Sequence, residues 1–154
     1  MREEMKNTKK LDNKGFSLIE LIIVIAIMAI LIGIVGTQVV PYIEKSKQAK
    51  DQQVLSSVLT NATTAFASNA ESYDSSSTHT FNVGGDCSTA TKVSDEFKTL
   101  SGFNTDQDFK DKMTSKAGKS ISAVTITRDT NGVVTVEVTV DAAYEGIFDV
   151  LSST

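Results

Sequence analysis

Three spacings of apolar residues divide the sequence. From Leu21 to Val40 runs a stretch of 20 residues without a formal charge, apolar on every side of any helix drawn through it. At ~1.5 Å per residue such a helix covers the ~30 Å hydrocarbon core of a bilayer. Within that core a lone segment satisfies its backbone polar groups only as a helix. Farther on, Val54, Leu55, Val58, Leu59, Ala62, Ala65 and Phe66 recur at i, i+3, i+4 spacing, predicting an amphipathic helix that lies on a hydrophobic surface. Between the two, Glu44 to Gln53 is polar with mixed charge and reads as a solvated stalk.

The third spacing is alternation over residues 121–140. Val124 and Ile126 share one face of a strand. Val134, Val136, Val138 and Val140 share a face of the next, against Thr135, Glu137 and Thr139. Parity selects the turn between them. A two-residue Asn131-Gly132 loop sets Ile126 opposite Glu137. A three-residue loop, Thr130-Asn131-Gly132, pairs Arg128 with Val134, Ile126 with Val136 and Val124 with Val138, and predicts a left-handed Gly132 closing a type I turn.

The intervening residues carry weaker signals. Ser68 to Thr80, rich in Ser and Asn, reads as a loop, and Thr80 to Val83 as a short strand ended by Gly84-Gly85. Ser94 is placed as the cap of a helix over Asp95 to Leu100, and Thr105 with Asp108 three residues on forms a capping-box pattern. Phe97, Leu100, Phe103, Phe109 and Met113 are the expected anchors of these helices. Asp141 to Leu151 stays open: Ala143, Ile147 and Leu151 suit a helix, Phe148 and Val150 a strand.

Chemistry enters at the front edge of the apolar run. Glu20 precedes sixteen residues, Leu21 to Gly36, with no hydrogen-bonding side chain. A carboxylate carried into lipid costs on the order of 3 kcal/mol on insertion scales, so it either stays solvated at the headgroup boundary or finds a partner. No Lys or Arg follows before Lys45, and the nearest preceding cation is Lys14.

Gly15-Phe16-Ser17-Leu18-Ile19-Glu20, behind a basic leader and ahead of an uninterrupted span, resembles the class III signal of type IV pilins and pseudopilins. The specific resemblance runs from Lys14 to about Val40, roughly a sixth of the chain. It implies cleavage between Gly15 and Phe16 by a prepilin peptidase, N-methylation of Phe16, and pairing of Glu20 with the new amine of a neighbouring subunit during assembly. Such an amine has a reference pKa of ~7.7–8.0 and is cationic at neutral pH.

The resemblance also implies an α+β pilin fold, a long N-terminal helix packed on a small antiparallel sheet. The expected division is a cytoplasmic leader over 1–15, removed on processing, a membrane and assembly helix over 16–40, its amphipathic continuation over 41–70, and an extracytoplasmic head over 71–154. Many members carry a Gly and a Pro where this chain has Ala29 and Thr37, and the single proline is Pro41. A helix kink or melted stretch is therefore expected around Gly33, Gly36 and Pro41, with helix packing as the alternative role of the two glycines.

Charge and rare residues narrow the function classes. The leader holds five cations and three acids, leaving 10 cations and 16 acids beyond it. This asymmetry sets the N-terminus in the cytoplasm by the positive-inside rule, and the acidic remainder argues against nucleic-acid binding. A secretory signal peptide has a core of ~7–15 residues before an Ala-x-Ala-like site, which Gly33-Ile34-Val35-Gly36-Thr37 does not supply. An uncleaved signal anchor is the other rival.

The single His79 and single Cys87 lie eight residues apart in loop-like surroundings, and Cys87 alone forms no internal disulfide. Asp106-x-Asp108-x-Lys110 breaks the calcium-loop pattern at its third ligand. No metal, cofactor or catalytic set is expected.

The expected function is a structural pilin, polymerising with itself and other pilins and supporting adhesion, motility or DNA uptake. Its expected partners are the peptidase, an assembly platform protein, an ATPase, and membrane lipid before assembly; its destinations are the cytoplasmic membrane and then a surface filament. The alternatives are a pseudopilin of a type II secretion or competence system and, from another class, a monomeric membrane-anchored binding domain.

Overall fold

The computed structural model describes residues 15–154; the expected leader, apart from Gly15, lies outside the described residues. The chain divides between Val40 and Pro41 into two units.

In the first unit, Gly15 to Ser17 precede the helix and α1 runs Leu18–Ile34. Isoleucines and leucines cover α1 all round, and none of its residues is buried within the chain. Its last turn passes into a π-helical turn, Val35–Val39. The reason lies just downstream, where Pro41 has no N–H for the Thr37 carbonyl and its ring crowds that oxygen. A π turn with one extra residue relieves the crowding. The Thr37 hydroxyl donates to the Gly33 carbonyl at 3.1 Å, so a carbonyl loosened by the widened turn keeps a donor. The backbone from Gly33 to Pro41 is helical, with the π turn as its one irregularity.

The second unit is an α+β head. Helix α2, Val40–Ser68, completes a helical stretch from Leu18 to Ser68 and lays Leu55, Val58, Ala62, Ala65 and Phe66 into the core, as the i, i+3, i+4 spacing predicts. Four strands form an antiparallel meander in chain order: β1 (His79–Asn82), β2 (Ala123–Arg128), β3 (Val134–Thr139) and β4 (Leu151–Ser152). The β2–β3 register pairs Arg128 with Val134, Ile126 with Val136 and Val124 with Val138. Gly132 sits at φ +88°, and its N–H donates to the Asp129 carbonyl at 3.1 Å. The hairpin is the one that parity selects. Val124, Ile126, Val134 and Val136 close the core against α2.

Between β1 and β2 lie three short helices: α3 (Thr91–Ser101), α4 (Asp106–Lys110) and α5 (Lys116–Lys119). The Thr105–Asp108 box forms as expected, with the Thr105 N–H donating to Asp108 at 2.8 Å and the Asp108 N–H to the Thr105 hydroxyl at 3.3 Å. Three expectations are corrected. Ser94 is not a cap; α3 starts three residues earlier, and Ser94 is buried within it, donating to the Thr91 carbonyl at 2.8 Å. Leu100 is 42 % exposed and anchors nothing, whereas Phe97, Phe103, Phe109 and Met113 are buried. Asp141 to Leu151 is neither helix nor full strand; a 3-10 turn, Ala142–Tyr144, leads to the two-residue β4.

Two glycines separate backbone strain from crowding. Gly84 (φ +80°) and Gly102 (φ +73°) share the left-handed region, but a Cβ on Gly84 falls 2.2 Å from the Asp106 backbone nitrogen, while one on Gly102 meets nothing. Gly102→Ala is expected to lower stability by ~1–2 kcal/mol, the left-handed term alone. Gly84→Ala is expected to lower it further, because the α4 N-terminus must move. Thermal unfolding of the two variants side by side checks the order.

Candidate functional site

The site signalled by the sequence is the front edge of α1. Ser17 is extended (φ −68°, ψ 143°), so the helix cannot start before Leu18, and Glu20 falls in its first turn. There the Glu20 carboxylate accepts the Ser17 backbone N–H at 2.8 Å. That placement is favourable twice over: it satisfies an orphan amide and sets a negative charge at the positive end of the helix dipole. A carboxylate has about four acceptor positions, so one hydrogen bond leaves capacity for a further donor.

Gly15 and Phe16 lie outside the helix, and Phe16 is 87 % exposed, so the peptide bond joining them is accessible. The structure thus joins Ser17 to Glu20 and leaves Gly15 and the exposed Phe16 just ahead of them. It places Gly36 within the π turn and Gly33 two residues before it, each with open space where a Cβ would stand.

Residues 10–36 match the family model for the prokaryotic N-terminal methylation motif. The chain carries the class III signal of type IV pilins and pseudopilins, ahead of a helix long and apolar enough to cross a membrane. No curated protein and no solved structure matches the chain.

The remaining candidate chemistry is structural. His79 opens β1 with 2 % exposure, and Cys87 is fully buried. The His79 Nε2 lies 2.7 Å from the Asp74 carbonyl, which only accepts, so Nε2 carries the hydrogen. Nδ1 lies 2.8 Å from the Thr89 hydroxyl, which in turn is 3.5 Å from the Cys87 sulfur. The imidazole ties β1 to the turn before it and the loop after it, packed edge-on against Tyr73. Neither residue presents a nucleophile or base to solvent. Asp106 pairs with Lys110 at 2.5 Å.

One functional residue escaped sequence reasoning. Asp51, inside the supposed solvated stalk, is fully buried on α2. Its two oxygens accept from the Thr114 N–H (2.8 Å) and hydroxyl (2.9 Å), and from the Ser115 N–H (2.8 Å) and hydroxyl (2.5 Å). About two turns earlier, Glu44 accepts the Lys116 N–H at 2.5 Å. The stalk is therefore docked, and α5 is its dock. Gly118 is required there, since a Cβ would fall 2.2 Å from an Asp51 oxygen. Two signals were present: Asp51 extends the Leu55–Val58–Ala62 stripe back by one turn, and Thr114-Ser115 is a ready pair of donors.

Burial pushes the Asp51 pKa up, but the Ser115 hydroxyl, the two backbone amides and the Thr114 hydroxyl outweigh it and hold the carboxyl below the usual aspartate value. A depressed folded-state pKa stabilises the fold above the unfolded value of ~3.9, and that stability is lost as pH falls through the folded value. Asp51→Ala is expected to destabilise the head by ~3 kcal/mol or more, since four donors lose a charged acceptor. Asp51→Asn is expected to destabilise it less and to flatten the fall in stability below about pH 4. Unfolding midpoints measured across acid pH check both.

Proposed function

We propose that this chain is the precursor of a type IV pilin. Prepilin peptidase cuts between Gly15 and Phe16, Phe16 is N-methylated, and α1 then leaves the lipid to pack against α1 of other copies in a filament. The N-terminus faces the cytoplasm before assembly, the head is extracytoplasmic, and the finished filament stands at the cell surface with the platform protein and ATPase behind it. It serves adhesion, motility or DNA uptake. The observation that carries this reading is α1 itself, wholly exposed and uncharged behind Glu20. In lipid or in a bundle of like helices the same surface is covered.

Glu20 fixes register. Cleavage creates an α-amine four residues before it, and in a water-poor bundle a matched amine and carboxylate favour one axial alignment over slipped ones. The cis hydrogen bond to the Ser17 N–H keeps the carboxylate satisfied while the subunit waits in the membrane. The irregular turn between Gly33 and Pro41 is where α1 yields if assembly requires it to melt.

Two measurements test the reading. Mass spectrometry of the mature chain is expected to show methylated Phe16 at its N-terminus; a chain beginning at Met1 or after Gly36 contradicts it. Glu20→Ala is expected to leave insertion and cleavage intact and to reduce sheared filament yield at least ~10-fold, the factor that 1.4 kcal/mol of lost register supplies. Unchanged yield refutes the register role.

A further inference from the structure

The cations of the head are gathered at one end of it. Of the ten Lys and Arg beyond the leader, six are exposed lysines in two short segments: Lys45, Lys47 and Lys50 on the first turns of α2, and Lys112, Lys116 and Lys119 around α5. These segments are far apart in sequence, yet the hydrogen bonds from Thr114 and Ser115 to Asp51, and from the Lys116 N–H to Glu44, across 63, 64 and 72 residues, hold them side by side. Lys47 lies one turn before Asp51 and is exposed beside the docked Glu44 and Asp51, with Lys45 and Lys50 near it along α2.

Among the described residues none of the six is in an ion pair. The acids of the same segments are already engaged: Asp51 and Glu44 as above, and Asp111 by the Gln107 amide at 2.7 Å. The rest of the head, residues 52–109 and 120–154, has the opposite balance, with three cations and twelve acids.

We propose that this basic end is a docking surface for the anionic headgroups of phospholipid. The order of side chains along α2 favours lipid over a protein surface. Exposed Tyr42 (76 %) and Ile43 (48 %) come first, then the lysines, then, past the buried Asp51, a stretch from Gln52 to Ser68 with no charged side chain. An aromatic ring at the hydrocarbon edge followed by cations at headgroup depth is the sequence of a membrane interface. Lys45 lies five positions beyond Val40, so the patch is tethered where that surface lies. The acidic remainder is repelled by the same anionic lipid, so the two effects together hold the head with α5 toward the membrane. The inference rests on α1 crossing a membrane and not on polymerisation.

The test places the full chain, with isotope-labelled lysine, in nanodiscs of phosphatidylcholine alone or with phosphatidylglycerol added, each doped with a gadolinium-chelating lipid. The amides of Lys112, Lys116 and Lys119 are expected to relax faster in the anionic discs than in the neutral ones, and those of Lys92 and Lys98 equally in both. The difference is expected to vanish in the Lys45→Gln, Lys47→Gln, Lys50→Gln triple variant, and at ~1 M salt, where the Debye length is ~3 Å. Equal relaxation in the two lipids overturns the proposal. Relaxation that follows the number of copies per disc assigns the patch to another copy's acidic surface and also overturns it. Both results leave the membrane reading of α1 standing, whereas a chain that does not elute with the discs removes that reading as well.

Discussion

An apolar rod with nothing of its own to lie on is the constraint that governs this molecule. Fourteen large hydrophobic side chains from Leu18 to Val35 stand about half exposed or more. Full burial of such a side chain is worth ~1.5–3 kcal/mol, so α1 leaves on the order of 10–20 kcal/mol unrealised in water. That equals or exceeds the ~5–15 kcal/mol that stabilises a typical domain. No rearrangement of a small head supplies it; an outside apolar phase must.

Against that magnitude the single carboxylate is a small term with a different role. The ~3 kcal/mol associated with an acid at membrane depth does not prevent insertion of so apolar a helix. In the proposed filament it is large enough to choose among packings that are otherwise equally greasy. Glu20 sits at the end of the helix, already holding the Ser17 amide and with acceptor capacity to spare. At the other end Pro41 lacks a donor, and the helix widens over Val35–Val39 just before it.

The head depends on a second buried acid. Asp51 joins α2 to the segment before α5 through four hydrogen bonds, and in doing so gathers two lysine clusters that the sequence keeps far apart. This is the part of the molecule least legible in the sequence. The apolar run, the α2 stripe and the β2–β3 register were all readable because each depends on local period and parity: a one-residue slip sets Ile126 against Glu137. Asp51, His79 and α5 were not, because their roles depend on contacts across 63, 10 and 72 residues. An aspartate in a run of lysines looks solvated until its donors are known. Ser94 misled for a related reason, since a serine before two acids resembles a cap even when the helix has already begun.

The most direct test of the account is inter-copy cross-linking along α1, read from a cysteine at Ala26, with the native Cys87 buried out of reach. The account predicts disulfide-linked dimers in sheared filament and far fewer in membranes where assembly is blocked, with the linked chains beginning at Phe16. Chains that stay monomeric in every fraction, or that link equally well without processing, would contradict the claim that copies of this helix provide one another's apolar surroundings.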